Sequence, residues 1–188
     1  MTLLASEFPE RAFRITRDTY RKMAEQGLFQ RHRVELIHGQ VVEMSPQNVP
    51  IARAIQKLSA ILQRALPEGV DVRVQLPAFA PDDSEPEPDL FVVRDDPEAL
   101  EHPKAALLVI EVADSSLAFD RRVKLPLYAE MGVPEFWLVN LPKRRIEVYD
   151  QLRGAEYTQI RMFGEAEEVP VGAFPEVRVP VAAILTRP

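Results

Sequence analysis

Residues 105–140 read AALLVIEVADSSLAFDRRVKLPLYAEMGVPEFWLVN. The run 105–112 is apolar at every position but Glu111, which predicts a central strand buried on both faces. Asp114, Ser115 and Ser116 offer capping side chains for a helix over about 117–131, closed by Gly132 and Pro134. Residues 135–140 then return as a strand. A strand, a helix and a strand in that order make a crossover joining parallel neighbours, right-handed by default. The unit predicts a mixed α/β fold.

Working outward, Thr16 caps a short helix to about Gln26, with Tyr20, Met23 and Ala24 on one face and Gly27 as its stop. Residues 33–37 and 40–44 flank His38-Gly39, a two-residue connection that predicts a β-hairpin. Ile51, Ala54, Ile55, Leu58, Ile61, Leu62, Ala65 and Leu66 recur at helical spacing, so a long amphipathic helix ends before Gly69. Residues 70–76 alternate apolar and polar as a half-buried strand does, and Pro77 ends it. A Pro-rich acidic loop leads to a short strand over 89–93. Residues 145–149, 156–162 and 167–171 read as a strand meander, and 174–188 is too Pro-rich to assign. There is no internal repeat, and 188 residues fit a single domain over 1–188, with an N-terminal helix and hairpin (1–45), a core (50–140) and C-terminal strands (141–188).

A hydrophobic share of 46% and a charged share of 28% are those of an ordinary globular chain, and no apolar run reaches the ~20 residues of a membrane span. The first residues lack the basic start and apolar segment of a secretory signal, and cysteine is absent, so the expected location is cytoplasmic, with no disulfide, thiolate metal site or Cys nucleophile. The formal charge of −6 opposes a nucleic-acid partner at first sight. Its distribution changes that reading. Residues 82–101 hold nine acids against Arg94 alone, leaving 22 bases and 20 acids elsewhere. Basic groups stand at Arg11/Arg14/Arg17/Arg21/Lys22, Arg31/Arg33, Arg121/Arg122/Lys124 and Lys143/Arg144/Arg145, which permits a nucleic-acid partner and is equally a set of solvated faces.

The chemistry concentrates in four residues at the edges of apolar runs. A carboxylate inside a buried strand is costly unless it is paired, protonated or bound to a cation. Asp89 opens its strand after a rigid Pro-x-Pro approach, and Glu111 stands on the face of Leu107 and Val109. On adjacent strand ends the two supply hard oxygen ligands for Mg²⁺ or Mn²⁺, which keep waters for substrate and nucleophile. The bland alternatives are a loop carboxylate for Asp89 and an arginine ion pair for Glu111. Asp120 and Lys124 lie one turn apart on the next helix. They form a surface i,i+4 pair, or Lys124 reaches the metal site to orient the attacking water and Asp120 orients Lys124. Glu35 is either a further metal-proximal carboxylate or a solvent-facing strand residue. Ser115 and Ser116 read as caps, since no His accompanies them, and His32, His38 and His102 all fall in predicted loops or turns, leaving a histidine metal site or triad unsupported. The set points toward phosphodiester hydrolysis. A two-carboxylate glycosidase would leave Lys124 without a role.

The succession Glu35-Leu36-Ile37-His38-Gly39, Met44-Ser45-Pro46, Pro88-Asp89-Leu90, Ile110 to Leu117, Asp120-Arg121, Lys124 to Tyr128 and Gly132 to Val139 resembles the Uma2 family, a bacterial group of endonucleases in the PD-(D/E)xK nuclease superfamily. The resemblance spans about residues 16–150. It implies a restriction-endonuclease-like core with a mixed central sheet flanked by helices, Asp89 as the motif acid, Glu111 as the second acid, and Mg²⁺- or Mn²⁺-dependent cleavage of DNA. Ala113 stands where the superfamily's usual lysine would be, so Lys124 takes the part of a migrated lysine. Ile51 stands where many relatives carry a His, and His38 replaces the Asp of a common Asp-Gly turn. The alternative implied by such a fold is a catalytically inactive module that binds DNA or protein partners. Symmetric pairing being the common case, the chain is expected to be a homo-oligomer, a dimer or higher.

Overall fold

The structure, a computed structural model, describes residues 13–78, 82–96 and 105–185. Arg11 of the first basic group and the predicted loop residues Glu98, Glu101 and His102 lie outside them. The chain divides into two compact units, Met1–Ser45 with Pro77–Glu87, and Pro46–Leu76 with Pro88–Pro188.

In the first unit, α1 (Arg17–Glu25) begins at Thr16, whose hydroxyl accepts the Thr19 N–H at 3.3 Å. Such a cap satisfies one of the amides that a helix start leaves without a partner. Tyr20 is the buried residue of α1, and its ring stacks on Phe29. Strands β1 (Val34–Ile37) and β2 (Gln40–Glu43) pair antiparallel, with Ile37 opposite Gln40. Both turn residues adopt positive φ, +47° at His38 and +73° at Gly39, the geometry of the two-residue hairpins whose twist matches the strands. A Cβ at Gly39 would stand 2.5 Å from that of Arg14, so the position has no room for a side chain.

The second unit is built on a six-stranded sheet in the order β3-β4-β5-β6-β7-β8. Its strands are β3 (Val70–Val74), β4 (Leu90–Arg94), β5 (Leu108–Ala113), β6 (Phe136–Asn140), β7 (Arg145–Arg153) and β8 (Glu156–Gly164). Only the β5–β6 pair is parallel, as the crossover predicts, and every residue of β5 and β6 is buried. Helix α2 (Val49–Ala65) is capped by Asn48, which accepts the Ile51 N–H at 3.0 Å. Its Ala54, Ile55, Leu58 and Leu62 join one core with Leu90, Val92, Leu108, Ile110, Val112, Trp137 and Val139 from one face of the sheet. Alternation turns Phe91, Val109, Glu111, Phe136 and Leu138 to the other face. There Tyr128 meets Phe136 at 5.5 Å between ring centroids, and Phe136 meets Tyr149 at 5.8 Å.

Two readings change at the level of elements. The predicted helix over 117–131 is α3 (Leu117–Phe119), a π-helical segment Asp120–Lys124, and α4 (Leu125–Glu130). The predicted meander stops at β8, because β9 (Glu168–Val171) pairs with β10 (Phe174–Pro180) in a separate two-stranded sheet. Val169, Val171, Val177 and Val179, with Val181 and Ile184 of the terminal α5 (Val181–Ile184), bury their side chains in the α2-side core. Burial of this apolar set across the sheet face offsets the pairing that β9 forgoes at the β8 edge. Among the described residues no helix is long and apolar enough to cross a membrane.

Candidate active site

Glu111 sits near the C-terminal end of β5, 4% exposed on a strand of apolar neighbours. Its Oε1 accepts hydrogen bonds from Lys124 Nζ at 2.9 Å and from the Tyr128 hydroxyl at 2.6 Å. An ammonium and a phenol thus converge on one carboxylate oxygen from the chain that crosses over β5. Lys124 is itself 5% exposed, so this is a buried ion pair, the arrangement in which loss of one partner is most costly.

Asp89 lies just before β4, the strand that pairs with β5. Its Oδ2 accepts the Val112 N–H at 2.8 Å and its Oδ1 the Gln75 side-chain amide at 3.1 Å. The carboxylate therefore bridges its own strand approach to both neighbouring strand ends. Burial pushes its pKa up to about 7 and the Glu111 charge pushes in the same direction, against the two hydrogen bonds and the Lys124 charge. Asp120 is raised to about 7 for the same leading reasons, burial and then Glu111, opposed by Lys124 and by the Ser116 hydroxyl. Three carboxyl groups and one ammonium thus share one electrostatic neighbourhood.

The π segment positions two of these residues. The Leu125 N–H reaches back five residues to the Asp120 carbonyl, widening the turn. Asp120 and Lys124 are both buried, which overturns the surface-pair reading. Ser116 does not cap α3 with its side chain; its hydroxyl donates to Asp120 Oδ2 at 2.8 Å instead. Ser116 thus holds the acid that the sequence offered as a partner for Lys124.

Glu35 lies on β1 of the first unit. It is 2% exposed, which overturns the solvent-facing reading, and its Oε2 accepts the Glu87 N–H at 3.2 Å. Asp89, Glu111, Asp120 and Lys124 are brought together within the second unit. Gln75, Tyr128 and Ser116 were not singled out as site residues. Tyr128 carried a signal, since it follows Lys124 by four positions on the same helical stretch, and so did Ser116, four before Asp120. Gln75 carried none: its role depends on strand pairing.

Asp89 and Glu111 supply hard carboxylate oxygens from paired strands, and their mutual repulsion is of the kind a cation relieves. Among the described residues no group of three or more acids or histidines is placed to enclose an ion. That donor set fits a divalent ion of the Mg²⁺ type, which takes few protein ligands and keeps waters. Most predicted basic groups are already engaged: Arg121 and Arg145 with Glu147 at 2.6 and 2.8 Å, Arg144 with Glu165 at 2.6 Å, and Lys22 with Asp18 at 2.7 Å.

A family model for Uma2, described as "Putative restriction endonuclease", matches residues 17–182. A solved structure from Anabaena variabilis, titled as that of "a putative nuclease belonging to DUF820", is similar with a TM-score of 0.73 and 16% sequence identity. The match covers 90% of this chain and 97% of that one, and it shows a shared fold. No curated protein matches this chain.

Proposed function

The chain belongs to the Uma2 family, and from that premise we propose that it is a divalent-metal-dependent endonuclease hydrolysing DNA phosphodiester bonds. The observation that carries the reading is the buried contact of Lys124 Nζ with Glu111 Oε1 at 2.9 Å, beside an Asp89 whose pKa is raised by burial and then by that same Glu111. Asp89 and Glu111 are the metal ligands. A bound Mg²⁺ or Mn²⁺ would polarise a phosphoryl oxygen and lower the pKa of a coordinated water.

The chain's own residues do the rest. In hydrolysis a water oxygen attacks phosphorus, one ester P–O bond breaks, and negative charge builds on the phosphoryl oxygens. Lys124, held as an ammonium against Glu111, orients that water and offsets the charge. Tyr128 fixes the Glu111 carboxylate by its short hydrogen bond, so the ammonium and the acid keep one geometry. Asp120, anchored by Ser116, acts through Lys124 as a positioning residue. Glu35 is proposed as an assisting acid from the sequence alone. Two copies pairing would present two such sites to a duplex, and sedimentation of the purified chain tests that pairing.

Incubation of the protein with plasmid or single-stranded DNA in Mg²⁺, Mn²⁺ or EDTA tests the function. Cleavage is expected with metal only, and Asp89→Asn or Lys124→Ala should lower it by about 100-fold or more, the scale for removing one transition-state contact. Equal cleavage by the native chain and Lys124→Ala would remove Lys124 from the mechanism. Glu35→Gln, assayed alongside, tests that acid separately. The second reading, a module that binds DNA without cutting it, draws on Ile51 at the start of α2. Salt-sensitive binding with no metal-dependent cleavage selects it.

A further inference from the structure

Strand β3 alternates Val70-Asp71-Val72-Arg73-Val74, followed by Gln75. Val70, Val72 and Val74 pack against the α2-side core, so Asp71, Arg73 and Gln75 project to the opposite face. That is the face of the candidate active site. Arg73 pairs across the ladder with Phe91, Phe91 pairs with Val109, and Glu111 follows Val109 on the same face of β5. Gln75, next on that face, is tied to Asp89 twice, by its own N–H to the Asp89 carbonyl at 3.2 Å and by its side-chain amide to Oδ1 at 3.1 Å. Its φ of +51° is an uncommon backbone conformation for a residue with a side chain.

Arg73 differs from the other arginines of this unit that face a carboxylate. Arg121 and Arg145 grip Glu147, Arg144 grips Glu165, and Arg161 grips Asp150, each through short hydrogen bonds from Nε and a terminal nitrogen. The ion pair of Arg73 is a 3.4 Å approach to Asp71, whose side chain is 50% exposed. Its Nε is buried and, among the described residues, has no hydrogen-bond partner. A buried donor left unpaired carries its full desolvation cost, and a guanidinium presents that donor in a rigid fork suited to two oxygens of one anion.

We propose that Arg73 is a phosphate-binding residue, its guanidinium engaging a phosphodiester of the DNA strand that Asp89 and Glu111 receive. The proposal rests on the nuclease reading for the identity of the anion. A strand running along the β3 edge, where Asp71, Arg73 and Gln75 stay partly exposed, would meet the Arg73 fork and, beside Gln75, the Asp89 that Gln75 holds. Arg73 thereby sets the register of the backbone without touching the reacting phosphorus.

The test is fluorescence anisotropy of a fluorescein-labelled duplex and single strand in EDTA, over a series of KCl concentrations, with cleavage in Mg²⁺ or Mn²⁺ measured in parallel. Arg73→Ala is expected to weaken binding about ten-fold or more, and to lower the slope of log affinity against log salt by about 0.7–0.9. Arg73→Lys should keep the slope and lose part of the affinity, because a point charge replaces the fork. Arg153→Ala removes the same charge from an exposed position at the end of β7 and should leave the slope unchanged. Where Arg73→Ala unfolds early, Arg73→Gln carries the comparison. An unchanged slope and affinity in the Arg73 variants overturns the proposal, as does an equal loss in Arg153→Ala or the absence of salt-dependent binding by the native chain. Native binding with the expected Arg73 effect but no cleavage in either metal supports Arg73 and overturns the nuclease reading.

Discussion

Glu147 shows how one residue's surroundings set its chemistry. It is 1% exposed, and burial by itself would raise its pKa. Hydrogen bonds from Arg121, Asn140 and Arg145 outweigh that and hold it at about 2. A carboxyl whose folded pKa lies below its ordinary value stabilises the native state above that value and loses the contribution as pH falls toward the folded one. The stabilisation is therefore complete above about pH 4.5 and fades toward pH 2. Urea unfolding of Glu147→Gln should show a flattened acid limb across that window and a loss on the order of 3 kcal/mol at neutral pH. At this scale Asp89 and Glu111 were legible because charge stands out in apolar runs. Gln75 and Arg73 were not, since in an alternating strand a polar residue is unremarkable until its neighbours across the ladder are known.

The elements were legible where local rules decide them. Thr16, His38-Gly39 and the apolar spacing of 51–66 act through neighbours within a few residues, and their helices and hairpin form within a residue or two of the predicted bounds, while the Asn48 cap was not read from the sequence. Asn48 has a second partner, donating to Asp114 Oδ2 at 2.6 Å and so tying the start of α2 to the chain leaving β5. Asn48→Ala should cost about 1–2 kcal/mol, lowering the thermal midpoint by a few degrees; Asn48→Asp, which keeps the cap and loses the donor, separates the two effects. The π segment was missed because five residues of π and α helix share nearly the same apolar spacing. One signal existed in Pro126. Inside a continuous helix it would remove a hydrogen bond and clash, whereas at the start of α4 its missing N–H costs nothing.

At the scale of the molecule, the second unit's core takes its stability from one face of the six-stranded sheet packed under α2, β9 and β10. Leu58 of α2 is 0% exposed there, and Leu58→Ala should destabilise the chain by about 2–5 kcal/mol. The single tryptophan, Trp137, is 0% exposed in the same core, so its emission should shift to the red on unfolding and report that loss at a lower denaturant midpoint. An unchanged midpoint would mean that the core closes over the deleted atoms. The amino-acid sequence by itself determined the parallel crossover of β5 and β6, the Thr16 cap, the hairpin turn and the presence of misplaced carboxylates, because each follows from periodicity or from side chains a few residues apart. Only the tertiary structure decided that β9 leaves the sheet for β10, that Lys124 and Tyr128 converge on Glu111, and that Gln75 holds Asp89. These depend on which strands pair and which faces are buried together, and that choice is made by long-range packing which no local window contains.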